Sequence, residues 1–304
     1  MKLSIFWLFL FAILAGCGRT SGVDPVKYRN GITEWQQKRD KRIHSQDSWL
    51  TVCELSWLKE GENTFGSDST AAIMLPKGKA LPIAGSIWVE KGHFRLTTKP
   101  GSNVKVNDSL VTNFPNLLPD ADTAGPSVVS IGSVNFFVIK RADKIGVRVK
   151  DKESPNRLEG IPLAFFPIDP KWRIEGKFEP YSPKKILPIS TVINTVEPDT
   201  CPGAIVFQVD GKTYRLEVTQ EVGTTDQLYI MFSDETSGKE TYGAGRQLYT
   251  DIPDSNSNVV IDFNKAINWP CDYTDFATCP IPPPQNHLVL RVEAGEKKYP
   301  GKKE

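Results

Sequence analysis

The chain has 304 residues, and its 37 Lys and Arg against 36 Asp and Glu leave a formal net charge of +1. Nucleic-acid binders and polybasic membrane clamps carry a surplus of one sign, so this near-balance argues against both, and no nucleic-acid partner is expected. The 23 Gly and 23 Pro favour a turn-rich, mainly β chain over a helical bundle, and the length allows two domains.

Residues 1–16 read as a processing signal, with Lys2 followed by an apolar run over 3–15 that is too short to span a bilayer. The run ends in Leu14-Ala15-Gly16-Cys17, which resembles a bacterial lipoprotein lipobox. The resemblance implies cleavage before Cys17 and acylation of Cys17, palmitate included, each buried methylene contributing about 0.8 kcal/mol to a membrane anchor. The other reading is an ordinary secretory signal in which small residues happen to precede a cysteine. Gly18 follows in place of Asp, so the expected location is the cell envelope, at the outer membrane facing the periplasm. An exported compartment permits disulfides among Cys53, Cys201, Cys271 and Cys279. Cys271 and Cys279, close together in a Pro-rich loop, are the expected pair, and Cys53 reads as a small core residue.

Residues 17–47 read as a tether and one short helix, in which Thr33 and Gln36 have the form of a capping box. The basic cluster Lys38 to Arg42, interrupted by Asp40, reads as a solvated helix face, with contact to anionic lipid as the alternative. Over residues 48–152 the period changes to two, and strands are predicted at 50–58, 72–75, 87–90, 94–97, 135–141 and 145–150. Lys91-Gly92 and Asn107-Asp108 mark turns, and such short, closely spaced strands predict a β-sandwich. Asn63-Thr64-Phe65-Gly66-Ser67-Asp68 leads into Ile73-Met74-Leu75, and Ile131-Gly132 precedes Phe136-Phe137-Val138-Ile139. This order resembles a forkhead-associated domain. Ser67 stands where that family carries a phosphate-binding Arg, and its Ser-x-x-His loop is absent, so phosphothreonine reading is not implied. A structural sandwich is.

Asp151 to Gly160 marks a boundary, and residues 160–296 read as an antiparallel β-barrel or curved-sheet domain, with a tail at 297–304. Ile205, Phe207 and Val209 alternate up to Asp210-Gly211, and Tyr214, Leu216 and Val218 alternate away from it, which predicts a tight hairpin. Further strands are predicted at 163–168, 172–179, 227–232, 259–263 and 288–292.

Gly238 to Arg246, Phe263-Asn264, Asn268-Trp269-Pro270-Cys271, Thr278-Cys279-Pro280, Asn286 and Ala294-Gly295-Glu296 resemble the DUF1684 family of bacterial proteins of unknown function, from about Trp49 to Glu296. The family name implies no activity. From the side chains, Gly243 and Gly245 beside Arg246 form either an anion-binding loop or a strained turn in which Arg246 bridges to Asp234 or Asp262. Asp262 is a candidate general base, with Asn264 as orienter and Arg246 as the cation beside it. Cys271, Cys279 and His287 lack a recognised zinc spacing, so no metal and no cofactor are expected. The candidate ligand-binding residues are Asp234, Thr241, Tyr242, Gly243, Gly245, Arg246, Asn264, Asn268 and Asn286, for a small polar or anionic ligand or a glycan. The alternative is a hydrolase or lyase acting on an envelope-derived molecule, with Asp262 as base and Arg246 and Tyr242 stabilising charge. No Gly-x-Ser-x-Gly elbow, His-Glu-x-x-His or P-loop is present in the sequence.

Overall fold

A computed structural model describes residues 24–220 and 226–301. The processing signal, Cys17, the first part of the tether and residues 302–304 of the tail lie outside the described residues. The described chain is mainly β, with one substantial helix, α1 (Pro25–Ile43). Asp24 caps it by accepting from the N–H groups of Val26 (2.8 Å) and Lys27 (3.3 Å), and Pro25 fills the first position, where a missing N–H costs nothing. Thr33, expected at the cap, lies mid-helix instead and donates its hydroxyl proton to the Arg29 carbonyl at 2.9 Å. Asp24-Pro25 is the stronger start signal because the helix is two turns longer at its N-terminus than the Thr33–Gln36 pattern suggested. Among the described residues no helix is long and apolar enough to cross a membrane.

The expected sandwich is present. One sheet has the strands Ile73–Met74, Gly61–Gly66, Gly85–Glu90, His93–Thr98 and Asn113–Phe114 in that spatial order. The other orders Val52–Trp57, Lys144–Asp151, Val134–Arg141, Val129–Ile131, Lys105–Val106 and Ser109–Leu110. Alternate residues of both sheets, among them Phe65, Ile87, Leu96, Phe136 and Val147, bury one continuous core. The turns Lys91-Gly92 and Asn107-Asp108 have positive φ at both residues, as two-residue hairpins of this hand require.

The second unit is built on a long hairpin, Arg173–Ser190 against Val196–Val209, with a bulge between Pro180 and Lys185. Lys212–Val218 and Asn258–Asp262 flank it to make a curled four-stranded sheet. The bridge Thr219–Tyr229 leads to a three-stranded sheet of Gln227–Phe232, Arg246–Asp251 and Ile267–Asn268. The Asp210-Gly211 turn is as the sequence predicts, with φ of 50° and 75°. Residues 163–168 and 288–292 are not strands. Their backbone groups are taken up outside any ladder: Phe166 N–H by the Gly295 carbonyl, and Val292 by side chains. Lys297 and Lys298, expected in the tail, are held by backbone hydrogen bonds to Ala164 and Glu240, and Tyr299 is buried edge-on against Tyr273.

Helix α1 belongs with the second unit although the sandwich separates them in sequence. Trp35 meets Phe165 edge-on, the Tyr28 hydroxyl donates to Asp262 at 2.8 Å, and Arg39 reaches Glu296 at 2.7 Å. The sandwich is held against this assembly by Arg141 Nε donating to Thr278 Oγ1 (3.0 Å), Lys144 Nζ to the Ile193 carbonyl (2.9 Å) and Thr274 Oγ1 to the Val52 carbonyl (3.3 Å).

Candidate functional site

The polar residues expected to converge on one hollow are distributed over four separate networks. Arg246 is fully buried and pairs with Asp234 at 3.1 Å, not with Asp262. Its guanidinium also donates to the carbonyls of Val292 (2.9 Å) and Ala294, and to Thr236, whose hydroxyl meets that of Thr241 at 2.9 Å. Burial lowers the Arg246 pKa and Asp234 opposes that shift. Gly245, at φ 105°, lets the backbone pass the Phe232 carbonyl, which a Cβ would meet at 2.4 Å. Gly245 is therefore the strained turn of a structural strut around Arg246.

Asp262 sits at the other end of the unit. It caps a short 3₁₀ turn by accepting the Asn264 N–H at 3.1 Å, and it accepts the Tyr28 hydroxyl. Asn264 spans Tyr28 and the Asp169 carbonyl, both at 2.9 Å. The base–cation arrangement that an enzymatic reading requires, Asp262 beside Arg246 and Tyr242, is absent. Asn286 is buried as a staple: its amide donates to the carbonyls of Glu217 and Met231, both at 2.7 Å, and accepts the Glu217 N–H at 2.8 Å. Asn268 donates to Asp272 (2.9 Å) and the Lys297 carbonyl (2.7 Å). Of the expected set, Tyr242 and Gly243 line one open cavity, and Asp262 lines another beside α1.

Cys271 and Cys279 are brought together as expected, but as thiols rather than as a disulfide. The Cys271 N–H donates to Cys279 Sγ at 3.2 Å, and burial pushes the Cys279 thiol pKa far up. His287 lies apart, its Nδ1 at 3.0 Å from the Ser233 hydroxyl. Among the described residues no group of three or more His, Cys, Asp or Glu side chains is arranged to hold a metal ion.

A cleft of about 550 Å³ opens where the sandwich, the tip of the long hairpin and the three-stranded sheet meet. Trp49, Tyr229 and Trp269 supply aromatic walls, Gln247 and Thr278 supply polar groups, and Glu197 and Asp199 line the hairpin side. Two cations converge at its sandwich side. Arg141 and Arg148 both donate to Thr278 Oγ1, at 3.0 and 3.4 Å. Arg141 has Asp120 at 2.8 Å, while Arg148 is only 5% exposed, stacks 4.8 Å above Trp49, and leaves Nε without a hydrogen-bond partner. Burial, reinforced by the charge of Arg141, lowers the Arg148 pKa to about 10. Trp269 Nε1 is a second buried donor without a partner on the cleft wall. An arrangement with more buried donors than acceptors, between flat apolar faces, suits an anion with a planar or apolar body.

Residues 159–297 match the model of the DUF1684 family, described as a protein of unknown function. This part of the chain is similar to DUF1684. No curated protein matches the chain. Among solved structures, an uncharacterized protein of Haloarcula marismortui is similar at 25% identity over 46% of this chain and 78% of its own, with a TM-score of 0.39. An FHA domain from a study of phosphothreonine-dependent interactions is similar at 18% identity over 32% of this chain and 92% of its own, with a TM-score of 0.22. The FhaA FHA domain, solved in complex with an intracellular domain, is similar at 19% over 32% and 97%, with a TM-score of 0.22. The matched segment supplies Tyr229, Gln247, Trp269 and Thr278 to the cleft, residues outside it supply Trp49 and Arg141, and Arg148 lies buried behind the wall against Thr278 and Trp49.

Sequence reasoning missed Arg148 because it alternates with Ile145, Val147 and Val149 on the face normally given to solvent. The available signal was Trp49 at the start of the sandwich, whose ring lies under Arg148 and lines the cleft.

Proposed function

We propose that the protein is a lipid-anchored envelope protein that binds a small anionic ligand with a flat or apolar body in the cleft between its sandwich and its DUF1684-like segment. The supporting observation is Arg148, a buried guanidinium directly behind the cleft wall, stacked on Trp49 and donating to Thr278, with no carboxylate in ion-pair contact. A buried charge without a counterion costs several kcal/mol, and a ligand anion at that position removes the penalty. Trp49, Tyr229 and Trp269 would hold the ligand body by stacking, and sugar acids or sugar phosphates fit this pattern as well as aromatic acids. The anchor reading rests on the lipobox resemblance at Cys17.

Calorimetric titration with inorganic phosphate, a uronic acid, a sugar phosphate and an aromatic carboxylate tests the cleft. One or more should bind and raise the Tm, and both Arg148→Met and Trp269→Leu should weaken that binding by at least about tenfold, ~1.4 kcal/mol. Unchanged affinity in Arg148→Met sinks the reading. For the anchor, Cys17→Ser should release the protein from membranes, and undiminished membrane partitioning would remove that part of the proposal.

A further inference from the structure

A second cavity, of about 950 Å³, lies on the far side of the Cys271–Cys279 pair: Cys279 lines the cleft and Cys271 lines this cavity. Asp272, Glu240, Tyr242, Lys239 and Lys298 are also in its wall. Asp272 is 1% exposed. Its Oδ2 accepts from Asn268 Nδ2 at 2.9 Å and the Tyr299 N–H at 2.7 Å, while Oδ1 is buried with no donor. Glu240 repeats the pattern: one carboxylate oxygen is taken by Arg291, and Oε2 is buried and unpartnered. The two carboxylates therefore keep acceptor positions that no protein donor among the described residues fills. The charge of Lys298 acts on Asp272, and among the described residues neither Lys298 nor Lys239 has a carboxylate within 4.0 Å. The wall thus offers carboxylate acceptors and ammonium donors together.

We propose that this cavity binds a small zwitterion carrying a primary ammonium and a carboxylate, the chemistry of a free amino acid. Its ammonium sits on Asp272 Oδ1 and Glu240 Oε2, and its carboxylate meets Lys298 and Lys239. An amine alone would leave the lysines uncompensated and a carboxylate alone would leave Asp272 unpaired, so the zwitterion is favoured over either half. The cavity is larger than the smallest amino acid, which leaves room for a side chain beside Tyr242 and Gly243.

The test uses the full chain titrated with glycine, L-alanine, L-glutamate, ethylamine and propionate, followed by calorimetry and by backbone amide NMR shifts. At least one amino acid should bind, more tightly than ethylamine or propionate, with shifts at Tyr242, Gly243 and Lys298. Asp272→Asn should weaken binding by about tenfold or more. Should that variant fail to fold, Glu240→Gln and Lys298→Gln, both on partly or fully exposed side chains, carry the same expectation. No binding by any amino acid, undiminished binding in the variants that fold, or shifts confined to the cleft at Trp49 and Trp269 would overturn the proposal. The cleft reading stands or falls separately, on Arg148→Met.

Discussion

Arg39 of α1 donates from Nε to Oε1 of Glu296 at 2.7 Å, and Glu296 has no exposed side-chain surface. The other carboxylate oxygen accepts the Asn268 N–H (2.8 Å) and the Tyr273 hydroxyl (2.6 Å). A helix that sequence reasoning assigned to a tether thus supplies the only cation in hydrogen-bond contact with Glu296 among the described residues. Removing one partner of a buried pair leaves the other charged and unsolvated. Arg39→Met is expected to destabilise the protein by about 3–5 kcal/mol, read from the midpoint of urea unfolding, and Arg39→Lys by less.

Arg148→Met should act in the opposite direction. It removes a buried cation that lacks a carboxylate and fills its volume with an apolar chain. A gain of about 1 kcal/mol in unfolding free energy is expected, together with the loss of anion binding. A destabilised Arg148→Met variant would mean that the guanidinium is compensated within the protein.

Asp272 makes stability depend on pH. Burial, with the negative charge of Glu296 adding to it, raises its pKa from 3.8 to about 6, against the hydrogen bonds from Tyr299 and Asn268 and the charge of Lys298. The folded state therefore holds this proton more tightly than the unfolded chain. Its contribution to stability is fully present below pH 3.8 and is lost as pH rises through about 6. The loss approaches ~3 kcal/mol at 1.36 kcal/mol per pKa unit. Urea unfolding of the wild type and Asp272→Asn between these pH values should differ in slope, the variant being flatter.

Asn286→Asp tests the staple. The carboxylate keeps an acceptor for the Glu217 N–H but cannot donate to the Glu217 and Met231 carbonyls, which it would then face as an anion. A loss of about 3 kcal/mol or more is expected, measured by chemical denaturation, with anion binding in the cleft retained in the folded fraction.

The sandwich and the Asp210-Gly211 hairpin were legible because alternation and positive-φ turn residues are local signals. The DUF1684-like segment was legible as a resemblance in its polar blocks, yet the purpose of those blocks was not. Arg246, Asp234 and Asn286 look functional in sequence because buried struts and ligand-binding groups use the same side chains. What separates them is partner geometry: Arg246 finds a carboxylate and two carbonyls inside the unit, and Arg148 finds a hydroxyl and a ring. Residues 288–292 misled for a related reason. Their apolar spacing suits a strand, but Val292 presents its N–H to Asp234 and its carbonyl to Arg246, so a side-chain network replaces a ladder.

The sequence separation of 257 between Arg39 and Glu296 bears on synthesis. A ribosome releases α1 long before the carboxylate it pairs with, whereas the sandwich core draws only on residues between Cys53 and Val149. During translation the sandwich can therefore close while α1 is still waiting, and a protease has access to the helix until Glu296 arrives.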